Sequence, residues 1–192
     1  MVLMAPKDES ELRDMLYTAV YYKDGPVALR YPRGSALGVE LKEGFEKLPI
    51  GKGETVRNGT DIAILAVGNM VEYSLAAAAM MENDGISAEV INMRFIKPLD
   101  TGLLENAAAR FNKIVTVEEN ALEGGFGSAV LEFLNDSNLK VDVLRIGIPD
   151  KFIDHGTQKE LHNLIEIDPE SIHRRTVEFY NYNKVNKEVS SK

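Results

Sequence analysis

The 192-residue sequence has no cysteine and no long hydrophobic run. The absence of cysteine excludes a disulfide framework, a thiolate nucleophile and a cysteine-rich metal site. No apolar stretch approaches the roughly 20 residues that a membrane-spanning helix needs. The N-terminus lacks the basic and apolar segments of a secretory signal. We therefore predict a water-soluble protein without a membrane partner, whose composition is compatible with a reducing cytoplasm.

Basic residues are also scarce relative to acidic ones. The chain has 22 Lys and Arg against 30 Asp and Glu, which gives a net charge of −8. This excess of negative charge disfavours nucleic acid as the main partner. What the sequence does contain, 44% hydrophobic and 27% charged residues, is typical of a globular protein with a proper core. Its length suits one ordinary domain with an appendage.

From residue 53 onward, strand patterns alternate with helix patterns. The aliphatic run Asp61–Val67 is typical of a strand covered on both faces, and the alanine-rich segment Val71–Asn83 predicts a helix. Further strands are predicted at Ala88–Met93, Lys113–Val117 and Val141–Ile146, and further helices at Ser128–Leu134, Gln158–Ile165 and Pro169–Tyr180. This alternation predicts an α/β domain over residues 53–180, with a doubly wound, mostly parallel sheet and helices on both faces.

The first 33 residues read as strand, helix and strand. Between the strands, apolar residues recur at helical spacing, at Leu12, Met15, Leu16, Ala19 and Val20. A βαβ unit of this size cannot close a core alone, so we predict that residues 1–33 end a preceding domain and expose apolar faces that favour association. Residues 34–52 are predicted as an irregular linker, and residues 181–192, which lack apolar periodicity, as a flexible tail.

Glu118 and Glu119 end a predicted parallel strand, where open α/β sheets place their sites. Acid or base chemistry would need a partner and a shifted pKa, and the spacing of the sequence shows no partner. The glycines of residues 124–127 allow the backbone to approach a ligand, a domain or a subunit closely. We predict a structural or interface role for this segment, with direct chemistry as the alternative.

The other polar positions give weaker signals. Gly68 is a single glycine between a strand and a helix, which predicts a tight turn rather than a dinucleotide-binding loop. The histidines lack the spacing of a preformed metal site. We predict that His162 and His173 lie on helix surfaces and that His155 caps a helix or packs in a loop. No metal site is predicted in this chain.

Residues 30–34, with the sequence Arg-Tyr-Pro-Arg-Gly, carry two guanidinium groups around a proline. Strand alternation would send Arg30 and Tyr31 to opposite faces, whereas Arg33 lies beyond the strand end and is free to point into a cleft. The planar fork of arginine suits phosphate. In an acidic chain this pair predicts a small phosphorylated ligand, and an interdomain salt bridge is the alternative.

Several segments together resemble one family. They are Met4–Glu9 with Glu11 and Leu12, Arg30–Gly34, Leu48–Gly53, Arg94–Asp100, Thr116–Ser128 and Gly147–Asp150. In that order they resemble the 1-deoxy-D-xylulose-5-phosphate synthases, thiamine-diphosphate-dependent transferases of the transketolase type. The resemblance covers roughly residues 2–180. The Thr116–Ser128 segment is similar to a wider group that includes transketolases and the β chains of 2-oxo-acid dehydrogenases.

The resemblance implies a parent enzyme that condenses pyruvate with glyceraldehyde 3-phosphate, with loss of carbon dioxide, in isoprenoid precursor biosynthesis. Thiamine diphosphate and Mg²⁺ would serve that enzyme, but the family's cofactor-binding and catalytic motifs match no segment of this chain. Residues 1–33 would end the pyrimidine-binding domain, and residues 53–180 would form the C-terminal domain. Arg33 matches the position that binds the substrate phosphate.

The resemblance also implies a homodimer in the cytoplasm, or in a plastid. The isolated chain is then expected to be inactive and to bind no cofactor. Two alternatives remain open at this stage. The chain could be a stand-alone binding or dimerisation module, or it could belong to the β chain of a 2-oxo-acid dehydrogenase.

Overall fold

The computed structural model describes residues 1–189, which form two sheets. The strands are β1 (Val2–Met4), β2 (Val27–Leu29), β3 (Glu54–Arg57), β4 (Ile62–Ala66), β5 (Ala88–Asn92), β6 (Phe95–Lys97), β7 (Lys113–Ala121) and β8 (Asp142–Ile148). The helices are α1 (Glu9–Tyr21), α2 (Met70–Asn83), α3 (Thr101–Arg110), α4 (Phe126–Asp136), α5 (Gln158–Leu164) and α6 (Pro169–Val189). Among the described residues, no helix is both long and apolar enough to cross a membrane.

The larger sheet has five strands in the order β3-β5-β4-β7-β8. Adjacent strands in this sheet are parallel, except that the edge strand β3 pairs antiparallel with β5. Along β4, Ile62 and Ile64 pack in one core with α2 and α6, while Ala63 and Leu65 pack in a second core with α3 and α4. The predicted doubly wound α/β fold with helices on both faces is therefore confirmed.

The smaller sheet has three strands in the order β2-β1-β6. The parallel pair β1 and β2 flanks α1 in sequence, but β6 comes from the middle of the chain and pairs antiparallel with β1. Their shared core consists of Val2, Met4, Met15, Leu48 and Phe95. The N-terminal βαβ unit thus does not stand alone, because a strand from beyond the linker extends its sheet.

A group of five polar residues joins the two sheets, and we call it the polar clasp. It consists of Lys7, Glu11, Glu54, Asn92 and Arg94. The buried Glu11 carboxylate accepts from Arg94 Nε at 2.6 Å and from Asn92 Nδ2 at 2.9 Å. Glu54 accepts from Lys7 Nζ at 2.9 Å and pairs with Arg94 at 2.6 Å. Arg94 has a φ of 54°, a conformation that is uncommon outside glycine.

Residues 34–52 contain no helix or strand and lie along α1. The backbone N–H of Gly38 donates to Glu9 at 2.6 Å, that of Glu46 to Asp14 at 3.0 Å, and that of Leu48 to the Thr18 hydroxyl at 2.8 Å. Side chains on α1 therefore provide the hydrogen-bond acceptors that the segment lacks in itself.

The helix predicted to end at Tyr180 continues to Val189, so the boundary placed at residue 181 is wrong. The sequence between these points has no glycine or proline that would stop a helix, and its lysines and glutamate are good helix formers. Residues 190–192 of the predicted flexible tail lie outside the described residues. The strand predicted through Tyr31 ends at Leu29.

Candidate functional site

The order of the strands creates a switch point in the five-stranded sheet. From β4 the chain crosses to β5 on one side, and it later returns to β7 on the other side of β4. Crevices at the carboxyl ends of strands that diverge in this way are the usual ligand sites of open α/β sheets. Here the carboxyl ends of β4 and β7 bring Asn69, Glu118 and Glu119 to one edge of the sheet.

Gly68 makes the turn from β4 into α2. Its φ of +66° is left-handed, and a Cβ at this position would lie 3.5 Å from that of Ala5. The predicted tight turn is confirmed, since glycine adopts this conformation without a steric penalty. Asn69 follows it, but its side chain does not cap its own helix. It donates instead to Oε2 of Glu119 at 2.6 Å.

Glu118 is fully buried and binds the start of α4. Its carboxylate accepts from the backbone N–H groups of Phe126 at 2.7 Å and Gly127 at 2.8 Å. A Cβ on Gly125 would overlap this carboxylate, so the glycines are needed for a close approach within the chain. Burial raises the pKa of Glu118. The two backbone hydrogen bonds and the charge of Arg30 lower the pKa, but burial outweighs them. The structure supports the structural role predicted for this residue.

Glu119 is the centre of a hydrogen-bonded cluster that the sequence did not reveal. Besides Asn69, it accepts from Nε2 of Gln158 at 3.3 Å, and Nε2 of His162 lies 2.9 Å from its Oε1. Nδ1 of His162 lies 3.3 Å from the Tyr73 hydroxyl. Burial favours a higher pKa for Glu119, but the hydrogen bonds from His162, Asn69 and Gln158 outweigh it and lower the pKa. The carboxylate is therefore kept charged and fixed in place.

The prediction that His162 lies on a helix surface is wrong. Its side chain is only 5% exposed, because α5 packs across the carboxyl end of β7 and directs this residue at Glu119. His173 is partly exposed and bonds Asp84 at 2.5 Å. His155 is exposed, and Thr157 rather than His155 caps α5, with Glu160 completing a capping box. A loop-packing role for His155 stays a prediction.

Arg30 is half-buried and lines a cavity of about 220 Å³ at the switch point, together with Asn69, Glu119 and Ile148. Burial lowers the pKa of Arg30, and the charges of Glu118 and Glu119 oppose this shift. Tyr31 lines the same cavity. The predicted separation of Arg30 and Tyr31 to opposite faces is therefore wrong, because the strand ends before both.

A second cavity, of about 350 Å³, adjoins the first and shares Tyr31, Pro32 and Asn69 with it. Gly34, Tyr73 and Gln158 also line it. Arg33 is exposed beside these cavities and belongs to the lining of neither. The structure thus brings Arg30 to the switch point and leaves the Arg33 side chain directed to the surroundings of the chain.

The charged groups near the switch point do not form a metal centre. Within residues 1–189 there is no group of three or more His, Asp or Glu side chains that could hold a metal ion. The described residues of the chain therefore do not fit a magnesium diphosphate group. What the cluster can do is hold charge in fixed positions.

Sequence reasoning missed three members of the Glu119 cluster, namely Tyr73, Gln158 and His162. Asn69 carried a usable signal, because it directly follows a buried strand whose neighbour ends in Glu119. The others come from helices: Gln158 and His162 contact Glu119 across 39 and 43 residues of sequence, and Tyr73 contacts His162 across 89. Spacing along the chain cannot indicate contacts of this kind.

Residues 51–172 match the family model described as "Transketolase, C-terminal domain". The chain belongs to the transketolase C-terminal domain family. This transketolase C-terminal domain comprises the five-stranded sheet and the β6 strand.

Two curated relatives are both named 1-deoxy-D-xylulose-5-phosphate synthase. The protein from Microcystis aeruginosa is 55% identical over 83% of this chain and 25% of its own length. That from Thermomicrobium roseum is 53% identical over 93% of this chain and 28% of its own length. The chain thus spans about a quarter of the length of the curated relatives that it matches.

Among solved structures, a split gene transketolase described as an inactive β4 tetramer is similar, with a TM-score of 0.73 and 27% identity. The likeness covers 91% of this chain and 55% of that one. Because so little of this chain is left uncovered, the likeness includes residues of the N-terminal βαβ unit as well as the transketolase C-terminal domain.

Proposed function

We propose that this chain is the C-terminal part of a 1-deoxy-D-xylulose-5-phosphate synthase. The parent enzyme condenses pyruvate with glyceraldehyde 3-phosphate, with loss of carbon dioxide, in isoprenoid precursor biosynthesis. The observation that carries the proposal is an identity above 50% to relatives of that name over most of the chain. As in the resemblance, we expect a cytoplasmic enzyme.

Thiamine diphosphate and Mg²⁺ serve the parent enzyme, and thiamine diphosphate supplies its carbanion chemistry. We assign neither group to residues of this chain, whose described part offers no suitable set of ligands. The isolated chain is accordingly proposed to be inactive. The test supplies the purified chain with pyruvate, glyceraldehyde 3-phosphate, thiamine diphosphate and Mg²⁺, and formation of deoxyxylulose phosphate would contradict the proposal.

Arg33 is proposed to bind the phosphate of glyceraldehyde 3-phosphate. Its guanidinium is exposed at the edge of the chain beside two cavities, where it can meet a substrate held by the rest of the enzyme. Arginine provides paired donors that match phosphate oxygens. Each charge-assisted hydrogen bond of this kind contributes about 1.5 to 3 kcal/mol.

The first prediction concerns Arg33→Ala in the full-length enzyme. We expect KM for glyceraldehyde 3-phosphate to rise by at least about tenfold, which corresponds to the loss of one such bond, while KM for pyruvate changes little. Arg174→Ala is the matched control, because Arg174 is an exposed arginine on α6 that pairs with glutamates on the surface. Equal effects of Arg33→Ala on both substrates would contradict the proposed role.

A role in self-association is also proposed, as expected for a homodimeric parent. The observation that favours it is the exposed apolar face of α1, where Leu16 is 51% and Val20 69% exposed. Apolar patches of this kind often mark interfaces. Light scattering of the unsubstituted chain and of a Leu16→Ser, Val20→Ser double variant tests this role. The variant should be monomeric at concentrations where the unsubstituted chain associates.

A further inference from the structure

The segment that carries Arg33 has little support of its own. Its last backbone tie to the N-terminal sheet is the N–H of Arg30, which donates to Met4 O at 2.8 Å. All side chains from Tyr31 to Lys47 are exposed, and β2 has already ended at Leu29. An arginine side chain loses conformational freedom when it binds in one position, so a functional Arg33 requires its backbone to be held by something else.

The end of the five-stranded sheet and helix α5 lie next to this segment, one on each side of Arg33. On one side, Arg30 lines the switch-point cavity together with Glu119 and Asn69. On the other side, a Cβ on Gly34 would lie 3.6 Å from Oε1 of Gln158. Gln158 is itself bound to Glu119. The residues before and after Arg33 thus both meet the Glu119 cluster.

Glu119 is suited to hold the residues around Arg33, because its own side chain is immobilised. Its two oxygens are bound from two elements, by Asn69 after β4 and by Gln158 and His162 on α5. A carboxylate held from several directions loses little further entropy when it acts on a neighbouring charge. Its negative charge, together with that of Glu118, acts on the half-buried guanidinium of Arg30, which lines the same cavity as Glu119.

We propose that Glu119 is a positioning residue. Held by Asn69, Gln158 and His162, it fixes the Arg30–Gly34 segment over the end of the five-stranded sheet, so that Arg33 is aligned with the substrate phosphate. The inference rests on the proposed function of Arg33. It gives the transketolase C-terminal domain a part in substrate selection, although Glu119 touches neither the substrate nor the cofactor.

The test is a double-mutant cycle in the full-length enzyme, with Glu119→Gln and Arg33→Ala alone and combined. Glutamine keeps the size of the side chain but removes one of the two carboxylate charges that act on Arg30. We expect Glu119→Gln to raise KM for glyceraldehyde 3-phosphate by about tenfold, less than the hundredfold that a misplacement of about 1 Å can cause. KM for pyruvate should change little. In the Arg33→Ala background the same substitution should have almost no further effect, because the residue that it positions is absent.

The matched control is Glu89→Gln. Glu89 is also a buried glutamate of the five-stranded sheet and pairs with Arg110, but it lies near the amino end of β5, away from the switch point. It should lower the melting temperature without a selective change in either KM. The readout that separates positioning from general stability is therefore the ratio of the two KM values.

The possible outcomes distinguish the two proposals. If Arg33→Ala leaves KM for glyceraldehyde 3-phosphate unchanged, the proposed function of Arg33 fails and the positioning role fails with it. If Arg33→Ala raises this KM but Glu119→Gln behaves like Glu89→Gln, the positioning role alone is overturned. Additive effects of the two substitutions would overturn it as well, because Glu119 would then act independently of Arg33.

Discussion

The two sheets of this chain are stabilised in different ways. The five-stranded sheet has apolar cores on both faces, and every residue of β4 and β5 is buried. The three-stranded sheet has a single small core, and all three residues of β2 are partly exposed. It depends on a strand supplied from beyond the linker and on the polar clasp. Apolar burial thus stabilises the five-stranded sheet, whereas pairing with the distant strand β6 and buried charges stabilise the three-stranded sheet.

The largest expected effect comes from a cavity in the five-stranded sheet. Ile64 is fully buried in the centre of β4, and Ile64→Ala should lower the free energy of unfolding by about 4 kcal/mol. A denaturant titration, monitored by circular dichroism, measures this free energy of unfolding. Leu164→Ala serves as the control, because Leu164 is exposed at the end of α5 and its truncation should cost less than about 0.5 kcal/mol. Similar losses in both variants would remove the contrast between buried core and exposed helix.

A smaller and more local effect is expected from the polar clasp. Glu11→Gln leaves Arg94 without its buried charge partner, and breaking such a pair costs about 3 kcal/mol. Hydrogen exchange should accelerate in β1 and β2 while the five-stranded sheet stays protected. Glu43→Gln, a change at an exposed glutamate of the linker, should leave the hydrogen-exchange rates of both sheets unchanged. Equal acceleration in both sheets would show that they unfold as one unit.

The smallest effect concerns the pH dependence of the clasp. Burial favours a higher pKa for Glu54, but Lys7 and Arg94 outweigh it and lower the pKa. Because the folded-state pKa lies below the unfolded value of about 4.3, the stabilisation is present above that pH. It is lost as the pH falls through the folded-state pKa.

Unfolding titrations of Glu54→Gln and the parent chain from pH 7 to pH 3 test this. The variant should be less stable at pH 7 by less than about 1 kcal/mol, because Glu54 is partly exposed, and the difference should shrink in acid. A difference that grows on acidification would reverse the assigned sign.

The sequence predicted the five-stranded sheet well and the smaller sheet poorly, for a physical reason. The continuous aliphatic run of β4 and the alanine-rich helix α2 carry local patterns that are typical of a parallel sheet covered by helices on both faces. Strands β3 and β6 were missed because three or four residues of mixed polarity show no clear periodicity. Their conformation depends on the partner strand rather than on their own composition.

The candidate site shows the same division. Glu119 and Arg30 were noticed because each stands at a strand end, a feature visible in the sequence. The burial of His162 could not be foreseen, since it follows from where α5 packs. The partner of Glu118 could not be seen in the sequence either, because it is a pair of backbone N–H groups at the start of α4 rather than a side chain.

The pairing of β6 with β1 places side by side two strands that are far apart in the sequence. The peptide link through residues 34–52 is not what unites the two sheets, because β6 lies on the far side of that link and hydrogen-bonds to the first strand of the chain. A single proteolytic nick in the exposed stretch between residues 36 and 44 should therefore yield two peptides that still migrate as one particle. For engineering, this means that the linker can be opened or lengthened, whereas an excision of residues 95–97 would remove the strand pairing that joins the N-terminal unit to the rest of the chain.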